Sequence, residues 1–141
     1  MSIVAAVDGT EGSIRVVAKG LDLAEAFDTD LYVVHVMDDE ELEDRREGRQ
    51  EYYIDDAAMD AEDVARDAIA DATDDRARIT PVGRVGEPVA ELLEEGDKRD
   101  ADYLVIGGRK RSAVGKALFG STTQSVLLNA ERPVVTIISG E

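Results

Sequence analysis

The chain has 141 residues, 43% of them hydrophobic, which is enough for one domain with a proper core. It contains no cysteine and a single histidine, excluding disulfides, thiol chemistry and a zinc site of the usual ligand set. With 32 acidic against 16 basic residues the formal charge is −16, so surfaces that seek nucleic acid or an anionic membrane are not expected.

The first predicted element is a strand over 3–7, "IVAAV", closed by an Asp8-Gly9 turn. No basic segment precedes it, so it reads as a strand rather than a signal peptide. Apolar residues at Ile14, Val17, Leu21 and Ala24 then predict a helix from Gly12 to about Phe27. "LYVVHV" (31–36) is a second strand, followed by a charged segment over 37–54 and a helix from about Ile54 to Ala72. "RITPVG" (78–83) is a third strand, which Pro81 confines to a sheet edge. Val89, Leu92 and Leu93 mark a helix after Gly86, and "YLVIGG" (103–108) is the fourth strand. A helix over 121–130 and a last strand, "PVVTII", from Pro133 complete the chain.

Strand and helix alternate throughout, and most strands are apolar on both faces. The fold class is therefore α/β: a single doubly wound domain, 1–141, with a five-stranded parallel sheet covered by helices on both sides. Such folds bind ligands beyond the carboxyl ends of strands, where strand order reverses. The apolar runs are too short to cross a bilayer, and a cytoplasmic location is expected. Acids spread over helix faces and loops suit a high-salt cytoplasm, pointing to a halophilic source, an archaeon.

One stretch runs against the overall charge. In "GGRKRSAVGKALFGSTTQ" (107–124), Arg109, Lys110, Arg111 and Lys116 fall within eight positions with no acid among them. The loop opens on Gly107 after the fourth strand and closes on Gly120-Ser121-Thr122-Thr123 at the start of a helix. Glycines admit a ligand close to the backbone, and the first amides of a helix have no internal partner. With the helix dipole, the hydroxyls of Ser121 and Thr122 and the neighbouring cations, these parts suit a di- or triphosphate. Ser121 with Gln124 also forms the pattern of a capping box. Neither a P-loop nor a G-x-G-x-x-G dinucleotide motif is present: Lys110 stands where the P-loop's first glycine belongs and Ala117 follows Gly115-Lys116.

The segments "IVAAVDGTEGS", "VVHVMD", "VGRVGEPVAELL", "ADYLVIGGRKRSAVGKALFGSTTQSVL" and "RPVVTI" resemble the universal stress protein family, single-domain type, along essentially the whole chain. Nucleotide-binding members carry glycine, two residues, glycine, nine residues, then glycine with Ser or Thr. Gly107 and Gly120-Ser121 match with the spacing intact, and Lys110 replaces the middle glycine. The resemblance implies ATP as ligand, with Mg2+ held mainly through the phosphates. Val7 and Asp8 would meet the adenosine, the backbone of Val36 the adenine edge, and Ile106 and Gly107 the ribose. Lys110, Gly120, Ser121 and Thr122 would hold the phosphates, with Arg109 a candidate cation from the loop's own charge, and Gly83 to Gly86 would line the same mouth. Asp8 has a second reading as N-cap of the first helix.

His35, flanked by valines, reads as structural, and Tyr52 and Tyr53 as packing for the charged segment. No nucleophile with a base is visible, so the expected function is a nucleotide-dependent switch or sensor in stress response, not an enzyme. The last strand, if it ends the sheet, is an edge through which a homodimer is expected. The alternatives are a nucleotide-free protein-interaction module, which the loss of the middle glycine favours, and a slow ATPase.

Overall fold

In the computed structural model, residues 1–109 and 120–139 are described. The elements run β1 (Ser2–Ala6), α1 (Gly12–Ala26), β2 (Asp30–Met37), α2 (Asp39–Arg46), α3 (Ile54–Ala72), β3 (Ile79–Val85), α4 (Pro88–Lys98), β4 (Ala101–Arg109), α5 (Ser121–Asn129) and β5 (Val134–Ser139). The strands form one parallel sheet in the order β3-β2-β1-β4-β5. This is the doubly wound α/β architecture the alternation predicts. Pro81 lies on β3, an edge strand, where its missing N–H breaks no central ladder.

Alternation along the strands divides the core in two. Ile3, Ala5, Leu31, Val33 and Val105 pack against Val16, Val17 and Ala24 of α1 and Ala65, Ala68 and Ile69 of α3. On the opposite face Val4, Val34, Leu104 and Ile106 meet Leu92 of α4 and Val126 of α5. Gly83 lets α3 lie directly on β3: a Cβ there would collide with the carbonyl of Ala58 and the backbone of Glu62.

The charged segment contains a helix that hydrophobic periodicity does not reveal. In α2 Leu42 is the one buried residue, and it packs with Met37, Tyr52, Ala57 and Ala61 in a third small cluster. End signals define α2 instead. Asp38 accepts the Glu41 amide at 2.9 Å, acids fill the first turn, and Arg45 and Arg46 close the last one. Tyr52 is buried, as its packing role requires, and its hydroxyl donates to Asp60 at 2.5 Å. Tyr53 is exposed.

At the far end of α4, Glu95 is 1% exposed and bound by two arginines. Arg84 reaches one carboxylate oxygen at 2.8 Å and Arg99 the other at 2.6 Å. Burial pushes its carboxyl up, but Arg99 and Arg84 together outweigh that and hold it below the usual carboxylate range. The Arg99 guanidinium also stacks over the Tyr32 ring at 4.2 Å.

Candidate nucleotide site

The chain lays down β1, β2 and β3 in one direction, then crosses back to place β4 on the other side of β1. Strand order reverses between β1 and β4, and there the carboxyl ends open a cavity of about 540 Å³. Its walls are Ala6 to Asp8 from β1 and its following turn, Val34 to Val36 from β2, Ile106 to Gly108 from β4, and Gly120 to Thr123 at the start of α5. The volume falls within the range of small-molecule sites.

The sequence-derived candidates Val7, Asp8, Val36, Ile106, Gly107, Gly120, Ser121 and Thr122 all line this cavity. Arg109 ends β4 opposite Ser139, but its side chain, like the whole of Lys110, Arg111 and Lys116, lies outside the described residues. Gly83 to Gly86 do not line the cavity. Gly83 is packed against α3, and the Glu91 side chain fills the space beside Gly86. Pro88 and Leu92 of α4 occupy that side of the mouth instead.

Ser121 does not form the expected capping box. Gly120 is the N-cap of α5, in extended conformation and with no side-chain cap bond, so Ser121 is the first helical residue. From that position its hydroxyl cannot fold back as an N-cap oxygen would. The first intrahelical bond is donated by Gln124 to the Gly120 carbonyl at 3.0 Å, leaving the amides of Ser121, Thr122 and Thr123 without an intrahelical acceptor. A helix N-terminus without a side-chain cap, facing a cavity, is suited to an anion. Thr123, which the local sequence pattern does not mark as a site residue, donates its hydroxyl to the Gly107 carbonyl at 2.9 Å and fastens the helix start to β4.

Asp8 is not the N-cap of α1 either, a position taken by Glu11. Its carboxylate instead accepts from the Thr10 amide at 3.0 Å, the Thr10 hydroxyl at 2.6 Å and the Ser13 hydroxyl at 3.1 Å. The Ser13 hydroxyl in turn accepts the Asp8 amide at 3.2 Å. This turn is built on Gly9 at φ 83° and holds the carboxylate at the cavity wall. The spacing Asp8-x-Thr10-x-x-Ser13 is the sequence signal that could have revealed it.

His35 is 6% exposed and fully engaged, in keeping with a structural role, yet it also lines the cavity. Nδ1 lies 2.9 Å from the Val7 carbonyl and Nε2 lies 2.9 Å from Glu41. Among the described lining residues the charged side chains are Asp8, Asp38 and Glu41, all carboxylates. Asp38 caps α2 and Glu41 lies in its first turn, and the absence of an apolar period in that helix hides both from the sequence pattern.

The universal stress protein family model matches residues 1–137. The chain belongs to the universal stress protein family. A universal stress protein structure from Archaeoglobus fulgidus is 29% identical, covering 97% of this chain and 98% of that one at a TM-score of 0.64. A universal stress protein in complex with cAMP is 26% identical, with 98% and 96% coverage and a TM-score of 0.61. The Archaeoglobus fulgidus protein in complex with dAMP is 25% identical, with 97% of both chains covered and a TM-score of 0.58. Among the described residues no helix is long and apolar enough to cross a membrane.

Proposed function

We propose that this universal stress protein binds ATP and acts as a nucleotide-dependent switch or sensor in stress response. The observation that carries the reading is the start of α5, without a side-chain cap among the described residues, facing a cavity at the β1/β4 switch point. Family members in complex with cAMP and with dAMP support an adenine nucleotide as the ligand class. In this reading Val7 and Asp8 contact adenosine, the Val36 backbone meets the adenine edge, and Ile106 and Gly107 flank the ribose. The phosphates rest on Gly120, Ser121 and Thr122, with Arg109 and Lys110 supplying cations and Mg2+ held mainly through the phosphates.

The switch reading is preferred to an enzyme because the polar groups at the wall are committed to one another. The Asp8 carboxylate accepts from Thr10 and Ser13, and both His35 nitrogens face protein acceptors. The chain works in this reading as one cytoplasmic domain over 1–141, without nucleic-acid or membrane partners. It forms a homodimer through β5, whose outer edge is an apolar parallel strand at the end of the sheet.

The test is calorimetric titration of Mg·ATP, in molar KCl, into protein stripped of nucleotide by unfolding and refolding. A Ser121→Ala, Lys110→Ala variant runs alongside, and saturable binding weakened roughly tenfold or more in the variant is expected. A flat titration from folded protein would favour the nucleotide-free interaction module. Phosphate release that disappears on changing Asp8 or Ser121 would favour the ATPase.

A further inference from the structure

His35, the single histidine of the chain, meets an acceptor at each ring nitrogen: the Val7 carbonyl at Nδ1 and Oε1 of Glu41 at Nε2, both at 2.9 Å. A neutral imidazole carries one N–H and can serve one of these; the other acceptor would then face a lone pair. Both contacts are hydrogen bonds only when one more proton is present, on the ring or on the carboxyl.

The three residues join separate elements at the cavity wall. Val7 follows β1, His35 is on β2 and Glu41 lies in the first turn of α2, and all three line the cavity. Behind them Arg45 holds the second Glu41 oxygen at 3.2 Å and approaches Asp60 of α3 at 3.6 Å. The contacts therefore run from the cavity through α2 to α3.

The other described charges around the ring come from each neighbouring element. The β1–α1 turn brings Asp8, and the start of α2 brings Asp38. From α3, Asp60 lies beyond Arg45 at 3.6 Å, and the backbone of Glu62 packs on Gly83, the register partner of His35. The α4 wall brings uncharged Pro88 and Leu92. The described charges at the wall itself are all negative, and Arg45 pairs with one of them, Glu41.

We infer that Val7, His35 and Glu41 form a proton-dependent latch regulating the nucleotide cavity. With the added proton the ring bridges β1 to α2 and keeps the first turn of α2 as a wall of the site. Without it one of the two bonds becomes a lone pair facing an acceptor, the bridge between β1 and α2 opens, and the wall loosens. Nucleotide binding is then tighter with the added proton in place and weaker once it has left. The regulatory half of this inference rests on the nucleotide reading; the latch itself does not.

A chain with one imidazole makes the test direct. Side-chain 15N spectra of the full-length protein at one acidic and one alkaline pH value are expected to show protons on both ring nitrogens at the first and on one at the second. Across the same change the hydrogen-exchange protection factors of the α2 amides should fall at least about threefold. Glu41→Gln and His35→Gln should remove that pH response. A ring that stays neutral, or stays doubly protonated, at both pH values with unchanged α2 protection would overturn the latch.

Mg·ATP titrations on the same samples read the coupling. Comparing wild type with Glu41→Gln at each pH cancels the ionisation of the nucleotide itself. Wild type should lose affinity relative to the variant by about threefold or more between the two pH values, and parallel curves would overturn the regulation. If Mg·ATP binds neither protein while the ring and α2 still respond, the nucleotide reading fails and the latch stands.

Discussion

The Thr123 hydroxyl donates to the Gly107 carbonyl across 2.9 Å, pinning the first turn of α5 to the end of β4. One contact thus fixes the distance between the ribose side and the phosphate side of the proposed site. Thr123→Val should cost about 1 kcal/mol in urea unfolding and weaken Mg·ATP binding severalfold, while Thr123→Ser should retain both. A variant with full affinity would show that the helix start is held by other means.

Glu95 should act as an acid-sensitive support. Its pairing with Arg84 and Arg99 is buried on the carboxylate side, so Glu95→Gln is expected to cost about 3 kcal/mol near neutral pH. Because its folded carboxyl lies below the usual value of 4.5, this stabilisation is present above that value and is lost as pH falls through the lower, folded one. Urea midpoints of wild type and variant should therefore converge on acidification. Parallel behaviour down to strongly acidic pH would contradict the pairing.

Tyr52 supplies a signal at the opposite end of the pH scale. Burial and then the bond to Asp60 push its phenol up to about 12. The folded state favours the neutral phenol, so its contribution to stability is full below the usual value of 10.0 and lost as pH rises towards 12. Ultraviolet titration of the four tyrosines should show one that ionises late, and Tyr52→Phe should remove that phase.

Gly83 should tolerate no side chain. A methyl there meets the backbone of α3 rather than a movable side chain, so Gly83→Ala is expected to destabilise by about 3 kcal/mol. Thermal unfolding measures the change; a stability equal to wild type would mean that α3 can shift away from β3 at little cost.

What the sequence disclosed follows physical lines. Regular apolar spacing located α1 and α3 closely, because each buries a stripe on the sheet. It was silent on α2, where Leu42 alone is buried and the rest of the helix is solvated charge. The end signals of Asp38, Arg45, Arg46 and Gly48 were present but lacked an apolar period to attach to. The cavity could be anticipated from the strand–helix alternation, which implies ligands beyond the carboxyl ends of strands, and from the glycines of 107–120. The partners of its wall could not: Glu41 reaches His35 from a different element, and "GSTTQ" offers two positions at which a helix could start. Tertiary packing, including the Thr123–Gly107 bond, selects Gly120 as the cap. The burial of one glutamate among 32 acidic residues was equally unreadable.

The central claim is that phosphates sit on the start of α5. Amide 15N–1H spectra recorded as Mg·ATP is added to nucleotide-free protein in molar KCl test it most directly. The account predicts saturable shifts at Ser121, Thr122 and Thr123, joined by Val7, Asp8, Val36, Ile106 and Gly107. Spectra that do not change, or shifts confined to residues remote from this cavity, would contradict it.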